Sequence, residues 1–239
     1  MNSLRGMWVL SFYSVSTALL TSISLLVSIL SEERARALAR VWAKANLRVA
    51  GIKVGVEGKA NRPISSSAGD NECGYIIAAN HTSAAAIFAI LAGLQIDICW
   101  VARASLLRKP FMGGHLKRLH IPLARGSIGI AKRFIQEGTC KLDSGAAVVV
   151  FPEGTWKEGA GPMLPFKKGS FLLARTTKRL IVPVAIIGSQ DLIPPETLIP
   201  KKGTITLRIG APIDPEQFTD LDQISGETYR AISELLEKA

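Results

Sequence analysis

The chain has 239 residues, 48% of them hydrophobic, with 29 lysines and arginines against 19 aspartates and glutamates and a formal net charge of +10. That length suits one large α/β domain with a sizeable core, and no linker or internal repeat divides it. Cys73, Cys99 and Cys140 are an odd number without metal-ligand spacing, which excludes a disulfide framework or a zinc site and fits a reducing cytoplasm.

The first element is the run from Met7 to Leu30, which carries no charge. It exceeds the roughly 20 residues that a helix needs to cross a bilayer. Ser31-Glu32-Glu33 follows it, in place of the small-residue cleavage site of a secretory signal. Beyond it Arg34, Arg36, Arg40, Lys44 and Arg48 punctuate Ala35, Leu38, Val41, Trp42, Ala45 and Leu47 at near-helical spacing. This pattern predicts an amphipathic basic helix with its cations among lipid phosphates and Trp42 at the interface, the alternative being a helix packed on the domain. Residues 1–50 therefore read as a two-helix membrane anchor, either spanning or immersed in one leaflet. The bias of positive charge places the remainder on the cytoplasmic face of the cell inner membrane.

Residues 51–239 read as a single further domain. Ile52, Val54 and Val56 alternate with polar or small residues as a strand, and 60–73 is a polar surface loop. A strand at 75–79, a helix at 83–94 and a strand at 96–102 come next, then helical stretches near 110–118 and 127–141. A strand at 146–151, a helix at 167–178, strands at 181–187 and 204–209, and an amphipathic helix at 221–238 complete the chain. The alternation predicts an α/β fold with a mixed sheet covered by helices on both faces.

A basic chain can bind nucleic acid or a membrane. Here the cations are scattered, no nucleic-acid motif is present, and the apolar run has no use in a soluble RNA-binding protein, so no nucleic acid is expected. The absence of a Gly-x-Ser-x-Gly elbow, a P-loop and a dinucleotide fingerprint argues against serine hydrolysis and nucleotide-driven chemistry.

Two turns carry the chemistry. Asn80-His81-Thr82-Ser83 leaves the apolar strand 75–79, and Phe151-Pro152-Glu153-Gly154-Thr155 leaves the run Ala146–Val150. Both fall where ligands of open α/β sheets bind, at the carboxyl ends of strands. Arg125-Gly126 lies between them, Arg103 closes the strand after the first turn, and Val182-Pro183-Val184-Ala185-Ile186 forms a later apolar block. In this order the segments resemble the four motifs of the glycerolipid acyltransferases, the bacterial family that acylates 1-acylglycerol-3-phosphate. The resemblance covers Asn80 to Ile186, with Pro165-Phe166-Lys167-Lys168-Gly169 as a further family-like stretch.

The resemblance implies direct acyl transfer. His81 is the expected base toward the 2-hydroxyl of lysophosphatidic acid, and the acyl donor is a thioester of acyl carrier protein or coenzyme A. Arg125, with Arg103, would hold the acceptor's phosphate, since a guanidinium gives two parallel bonds to phosphate oxygens. Glu153, Gly154 and Thr155 would line the substrate, the backbone amides there serving the developing oxyanion. No metal and no bound cofactor is implied; membrane phospholipids, lysophosphatidic acid and the carrier thioester are the partners.

One departure touches the chemistry. The family pairs its histidine with an aspartate five residues on, which fixes the ring's tautomer. Here that place holds Ala86. An inactivating exchange, a natural loss in a lipid-binding relative, and another acid orienting His81 are the three readings. Trp156 stands where the family ends its third motif with arginine, and Lys157, Lys167 or Lys168 can supply the missing charge.

Overall fold

The computed structural model describes residues 2–61, 74–108, 112–123, 128–155, 163–194 and 199–237. Among these residues seven strands form one sheet in the order β1-β7-β6-β2-β5-β3-β4. They are β1 (Ile52–Glu57), β2 (Ile76–Ala79), β3 (Ile98–Arg103), β4 (Ile121–Leu123), β5 (Ala147–Val150), β6 (Ile181–Ile187) and β7 (Gly203–Ile209). Every pairing is parallel except β6 with β7, which is antiparallel. β2, β5 and β6 form the centre, and apart from Ile187 at the end of β6 each of their residues is buried, as in strands covered on both faces.

Two apolar clusters clothe the sheet. On one face α2 (Glu32–Ala50) and α3 (Ala85–Leu94) pack against Ile77, Val149, Val184 and Leu207. On the other, α5 (Ile128–Asp143), α6 (Gly169–Thr177) and α8 (Leu221–Glu237) supply Phe134, Phe171 and Ile232 against Ile76, Val148 and Ala185. The expected fold of a mixed sheet between helices is the one observed.

α1 (Asn2–Val27) packs against α2 through its small polar residues. Ser16 Oγ accepts from Trp42 Nε1 at 3.2 Å and from Asn46 Nδ2 at 3.2 Å, and Ser24 Oγ donates to the Ala35 carbonyl at 3.0 Å. Its large apolar residues point the other way, with Trp8 60%, Val15 60%, Leu19 58% and Leu26 67% exposed. Such an arrangement, polar inside and apolar outside, is that of a helix whose solvent is hydrocarbon. Gly6–Val27 is long and apolar enough to cross a membrane.

α2 begins where Ser31 Oγ accepts from the Arg34 amide at 3.2 Å, with Glu32 and Glu33 in the positive first turn, and ends at Gly51 in the left-handed region (φ 75°). Two of its cations, Arg36 and Arg40, depart from the expected headgroup layer, while Arg34 and Arg48 stay exposed. Arg36 is 6% exposed and forms a bidentate pair with Asp97, at 2.7 and 2.8 Å, and Arg40 donates to the Ile96 carbonyl at 3.0 Å. Asp97 precedes β3 at the amino end of the parallel strands, so these arginines are turned inward by a tertiary partner that helical periodicity does not reveal. Glu32 joins the group by accepting from Arg36 at 3.0 Å and Lys141 at 2.5 Å. Burial alone would raise the Glu32 pKa; the hydrogen bonds and charges of Lys141 and Arg36 outweigh it and hold the group below its ordinary value.

β4 was not among the expected strands. It has three residues, Pro122 among them, too few to show alternation, and it survives as an edge strand paired with β3. Most of the predicted loop at 60–73 lies outside the described residues.

Candidate active site

β2 delivers Asn80 and His81 at its carboxyl end, and β5, its parallel neighbour, delivers Phe151, Pro152 and Glu153 at the same end. The two turns are fastened to each other and to β6. The amide side chain of Asn80, 2% exposed, donates to the Ile186 carbonyl at 3.0 Å and accepts from the Ile186 amide at 2.7 Å. Ser83 Oγ donates to the Ser189 carbonyl at 2.9 Å and accepts from the Ala85 amide at 3.2 Å, which starts α3. Thr82 Oγ1 and the Ser189 hydroxyl lie 2.7 Å apart. Ser189 opens α7 (Ser189–Leu192), a one-turn helix that sequence reading did not anticipate.

The histidine itself is held from two directions. Its ring lies flat on Phe151, with centroids 3.9 Å apart and planes 11° from parallel, and Trp100 of β3 stacks on Phe151 at 5.7 Å. Its backbone N–H donates to Glu153 Oε1 at 2.9 Å. Glu153 Oε2 accepts from the Leu164 amide at 2.8 Å, and the carboxyl group is buried, with the residue 2% exposed. Glu153 thereby ties the His81 turn to the segment that follows the third motif. Aromatic stacking on Phe151 fixes the plane of the ring.

Ala86 is fully buried as the second residue of α3, with its amide bonded to the Ser83 carbonyl at 3.1 Å, and it belongs to the apolar cluster under α2. A methyl group there can neither orient His81 Nδ1, itself a buried atom, nor stabilise an imidazolium.

The glycine after Glu153 has a conformational and a steric reason. Gly154 has φ +70°, and a Cβ on it would stand 2.2 Å from Lys167 Nζ. Its N–H donates to the Phe151 carbonyl at 2.9 Å, closing the turn, and the Lys167 amide donates to the Pro152 carbonyl at 2.8 Å. Lys167 thus brings an ammonium over the turn, whereas Lys168 is turned outward to Asp222 at 2.7 Å. Of the two described lysines among those proposed to replace the charge missing at Trp156, Lys167 is the one over the turn; Lys157 and Trp156 lie outside the described residues. Thr155 is exposed beside the turn.

Arg103 is the last residue of β3 and aligns with Leu123 of β4. Both strands run parallel to β2 and β5, so their carboxyl ends reach the same edge of the sheet as His81 and Glu153. Arg125 follows β4 and lies outside the described residues.

The other two histidines form a buried pair away from His81. His120 Nδ1 accepts the Trp100 amide at 3.2 Å, so its proton sits on Nε2 and is donated to His115 Nε2 at 3.3 Å. Burial lowers the His115 pKa to about 4 and, together with the charge of His115, depresses that of His120. Burial likewise pushes the Cys99 thiol up to about 12, an inert thiol. Among the described residues no group of three or more His, Cys, Asp or Glu is placed to hold a metal ion. Sequence reading missed Trp100, Phe151 as a stacking partner, and Ser189. Phe151 was visible inside its motif; the other two carry no local signal.

Known proteins can be compared with this geometry. The Acyltransferase family profile matches residues 53–187, more than half of the chain. The chain is 32% identical over 193 residues to a 1-acyl-sn-glycerol-3-phosphate acyltransferase of Pseudomonas aeruginosa, covering 80% of this chain and 67% of the relative. It is 34% identical over 155 residues to the yeast (Saccharomyces cerevisiae) protein of the same name, covering 61% of this chain and 49% of that one. A similar match with the Helicobacter pylori protein covers 48% of it, so the chain spans about half the length of such relatives. Among solved structures, a 1-acyl-sn-glycerophosphate (LPA) acyltransferase from Thermotoga maritima superposes with a TM-score of 0.78 at 26% identity, over 99% of this chain and 96% of that one. The profile match, the near-complete structural overlap and the two motif turns joined at one end of the sheet lead to one assignment: the chain belongs to the acyltransferase family.

Proposed function

We propose that this protein is built to transfer a fatty acyl group from a thioester, carried by acyl carrier protein or coenzyme A, to the 2-hydroxyl of 1-acylglycerol-3-phosphate, giving phosphatidic acid for phospholipid synthesis. The observation that carries this reading is the hydrogen bond of 2.9 Å from the His81 amide to Glu153, which brings the base and the third motif to one strand end. In the reaction, His81 takes the proton of the acceptor hydroxyl as its oxygen attacks the thioester carbonyl. Collapse of the tetrahedral adduct breaks the carbon–sulfur bond, and the departing thiolate takes the proton back from the imidazolium.

The residues divide into base, positioner and anion holder. His81 is the base. Glu153 positions it through the backbone, and Phe151 through the ring. Arg125 and Arg103 hold the phosphate, with Lys167 adding charge over Gly154 and Thr155. Residues 1–50 anchor the catalytic domain, 51–239, at the cytoplasmic face of the inner membrane, the apolar outer face of α1 making the contact with lipid.

Ala86 favours a second reading, a noncatalytic relative that binds lysolipid or carrier at the membrane. The position of the family's aspartate is held by a fully buried methyl group, which cannot act on an imidazolium. The deciding experiment is Ala86→Asp. In the enzyme reading it raises thioester-dependent acylation of lysophosphatidic acid by about 10²–10⁴-fold, and His81→Ala in that background removes the gain. A folded Ala86→Asp protein without gain on any glycerolipid acceptor leaves the binding-protein reading standing.

A further inference from the structure

A surface cleft of about 560 Å³ lies between α5 and α4 (Met112–Leu119), at the edge of the sheet closed by β4. Its charged lining is Lys117, Arg118, Lys132, Arg133 and Lys141, opposed by Glu137 alone. Arg133 neutralises Glu137 at 2.7 Å, and Lys141 is occupied by Glu32 at 2.5 Å. Lys117 and Lys132 are exposed and make no hydrogen bond or ion pair among the described residues. The cleft therefore keeps positive charge that no described residue balances.

Its position says what kind of anion fits. Arg118 donates through Nε and Nη2 to the Ser28 carbonyl, at 3.3 and 2.9 Å, which sets the cleft against the turn between α1 and α2. The next two residues of that turn, Ile29 and Leu30, are 69% and 87% exposed. Bare apolar side chains next to unbalanced cations match one environment, the boundary of a bilayer, with hydrocarbon for the former and phosphates for the latter. An acidic protein would answer the charge and leave Leu30 in water.

We propose that this cleft binds the phosphate of an anionic phospholipid in the bilayer that α1 contacts, fixing how the domain sits on the membrane. The inference rests on the membrane contact of α1 and is separate from the chemistry at His81. Its site shares no residue with the proposed acceptor-phosphate site.

The test is flotation of the full chain with vesicles of neutral phosphatidylcholine and with vesicles of about one third phosphatidylglycerol. The double variant Lys117→Gln/Lys132→Gln is compared with Lys201→Gln/Lys202→Gln, which removes the same charge from exposed lysines elsewhere. The cleft variant is expected to bind the anionic vesicles about tenfold more weakly, with neutral binding unchanged and the difference lost at high salt. Equal losses in both variants, or a wild type indifferent to lipid charge, overturn the proposal. Loss of the anionic preference on adding millimolar inorganic phosphate at constant ionic strength shows a site for free phosphate and also overturns it. So does unchanged anionic binding accompanied by slower acylation from an acidic carrier protein. Failure of the α1 reading has its own signature, wild type that does not float with neutral vesicles, and the anionic increment still reports on the cleft.

Discussion

The two ends of the sheet use ionic groups in opposite ways. At the amino end of the parallel strands, Arg36, Asp97, Glu32 and Lys141 bind one another, so each charge is matched by another side chain. At the carboxyl end, Glu153 is matched by backbone amides, and His81 is held by an aromatic face and by its own backbone. Matching charge with charge docks α2 onto the domain and leaves nothing over for chemistry. Matching a carboxylate with amides stiffens the turn that carries the histidine.

The comparison breaks most sharply at Glu153. Glu153→Ala leaves the His81 and Leu164 amides without their charge-assisted partner, each bond contributing about 1.5–3 kcal/mol, so a loss of about 3–6 kcal/mol is expected in denaturant or thermal unfolding. Glu153→Gln keeps one acceptor oxygen and should recover part of it. In an Ala86→Asp background both variants should lose turnover beyond the stability effect, because His81, the proposed base, is no longer fixed. Wild-type melting by Glu153→Ala would remove the clamp from this account.

At the opposite end the expected effect is smaller and purely structural. Arg36→Ala strands a partly buried carboxylate. Asp97 is 22% exposed, and solvent reduces the usual penalty for breaking a buried pair to about 2–3 kcal/mol. Replacing both partners by apolar residues, Arg36→Met with Asp97→Leu, should restore most of the loss. Turnover per folded molecule should not move in either variant; if it does, the two ends are coupled and the division fails.

How much of this was legible follows the same line. β2, β5 and β6 were readable because buried parallel strands leave runs such as Val148-Val149-Val150, and the two chemical turns because Asn80-His81 and Pro152-Glu153-Gly154 punctuate those runs. The inward turn of Arg36 was not, since helical spacing places a residue on a face but does not say that Asp97 waits there. The choice between Lys167 and Lys168 was equally hidden. Adjacent residues in sequence differ in fate because the amide of one is bonded to Pro152 while the side chain of the other reaches α8. β7, inserted between β1 and β6, parallel to the first and antiparallel to the second, is a matter of topology that strand patterns leave open.

A third comparison sets the histidines against one another. His115 and His120 are buried as neutral rings, with the His115 pKa lowered to about 4 by burial. The unfolded chain binds a proton at each near pH 6.5, the folded chain does not, so stability is full above that value and falls as the pH drops toward 4. Between pH 6.5 and 5 the His115 ring should account for about 1–2 kcal/mol of lost stability, with His120 acting in the same direction. His115→Leu should flatten the pH dependence of the melting temperature over that window, and an unchanged slope would show that the pair does not titrate as described.

The smallest effect distinguishes neighbours. Lys168 and Asp222 are 63% and 70% exposed, and an exposed pair of this kind contributes about 0–1 kcal/mol, so Lys168→Ala should leave both stability and turnover nearly as they are. Lys167→Ala should be just as mild for stability, because that side chain is also exposed, yet in an Ala86→Asp background it should weaken binding of the phosphate-bearing acceptor by several-fold. The reason is placement: its ammonium stands over the Gly154 turn and Lys168 does not. Measured as the Michaelis constant for lysophosphatidic acid, the effect should shrink with added salt, and Lys167→Arg should retain most of the affinity. Equal constants for Lys167→Ala and Lys168→Ala would mean that charge over the turn plays no part in holding the acceptor, which would leave that role to the arginines alone.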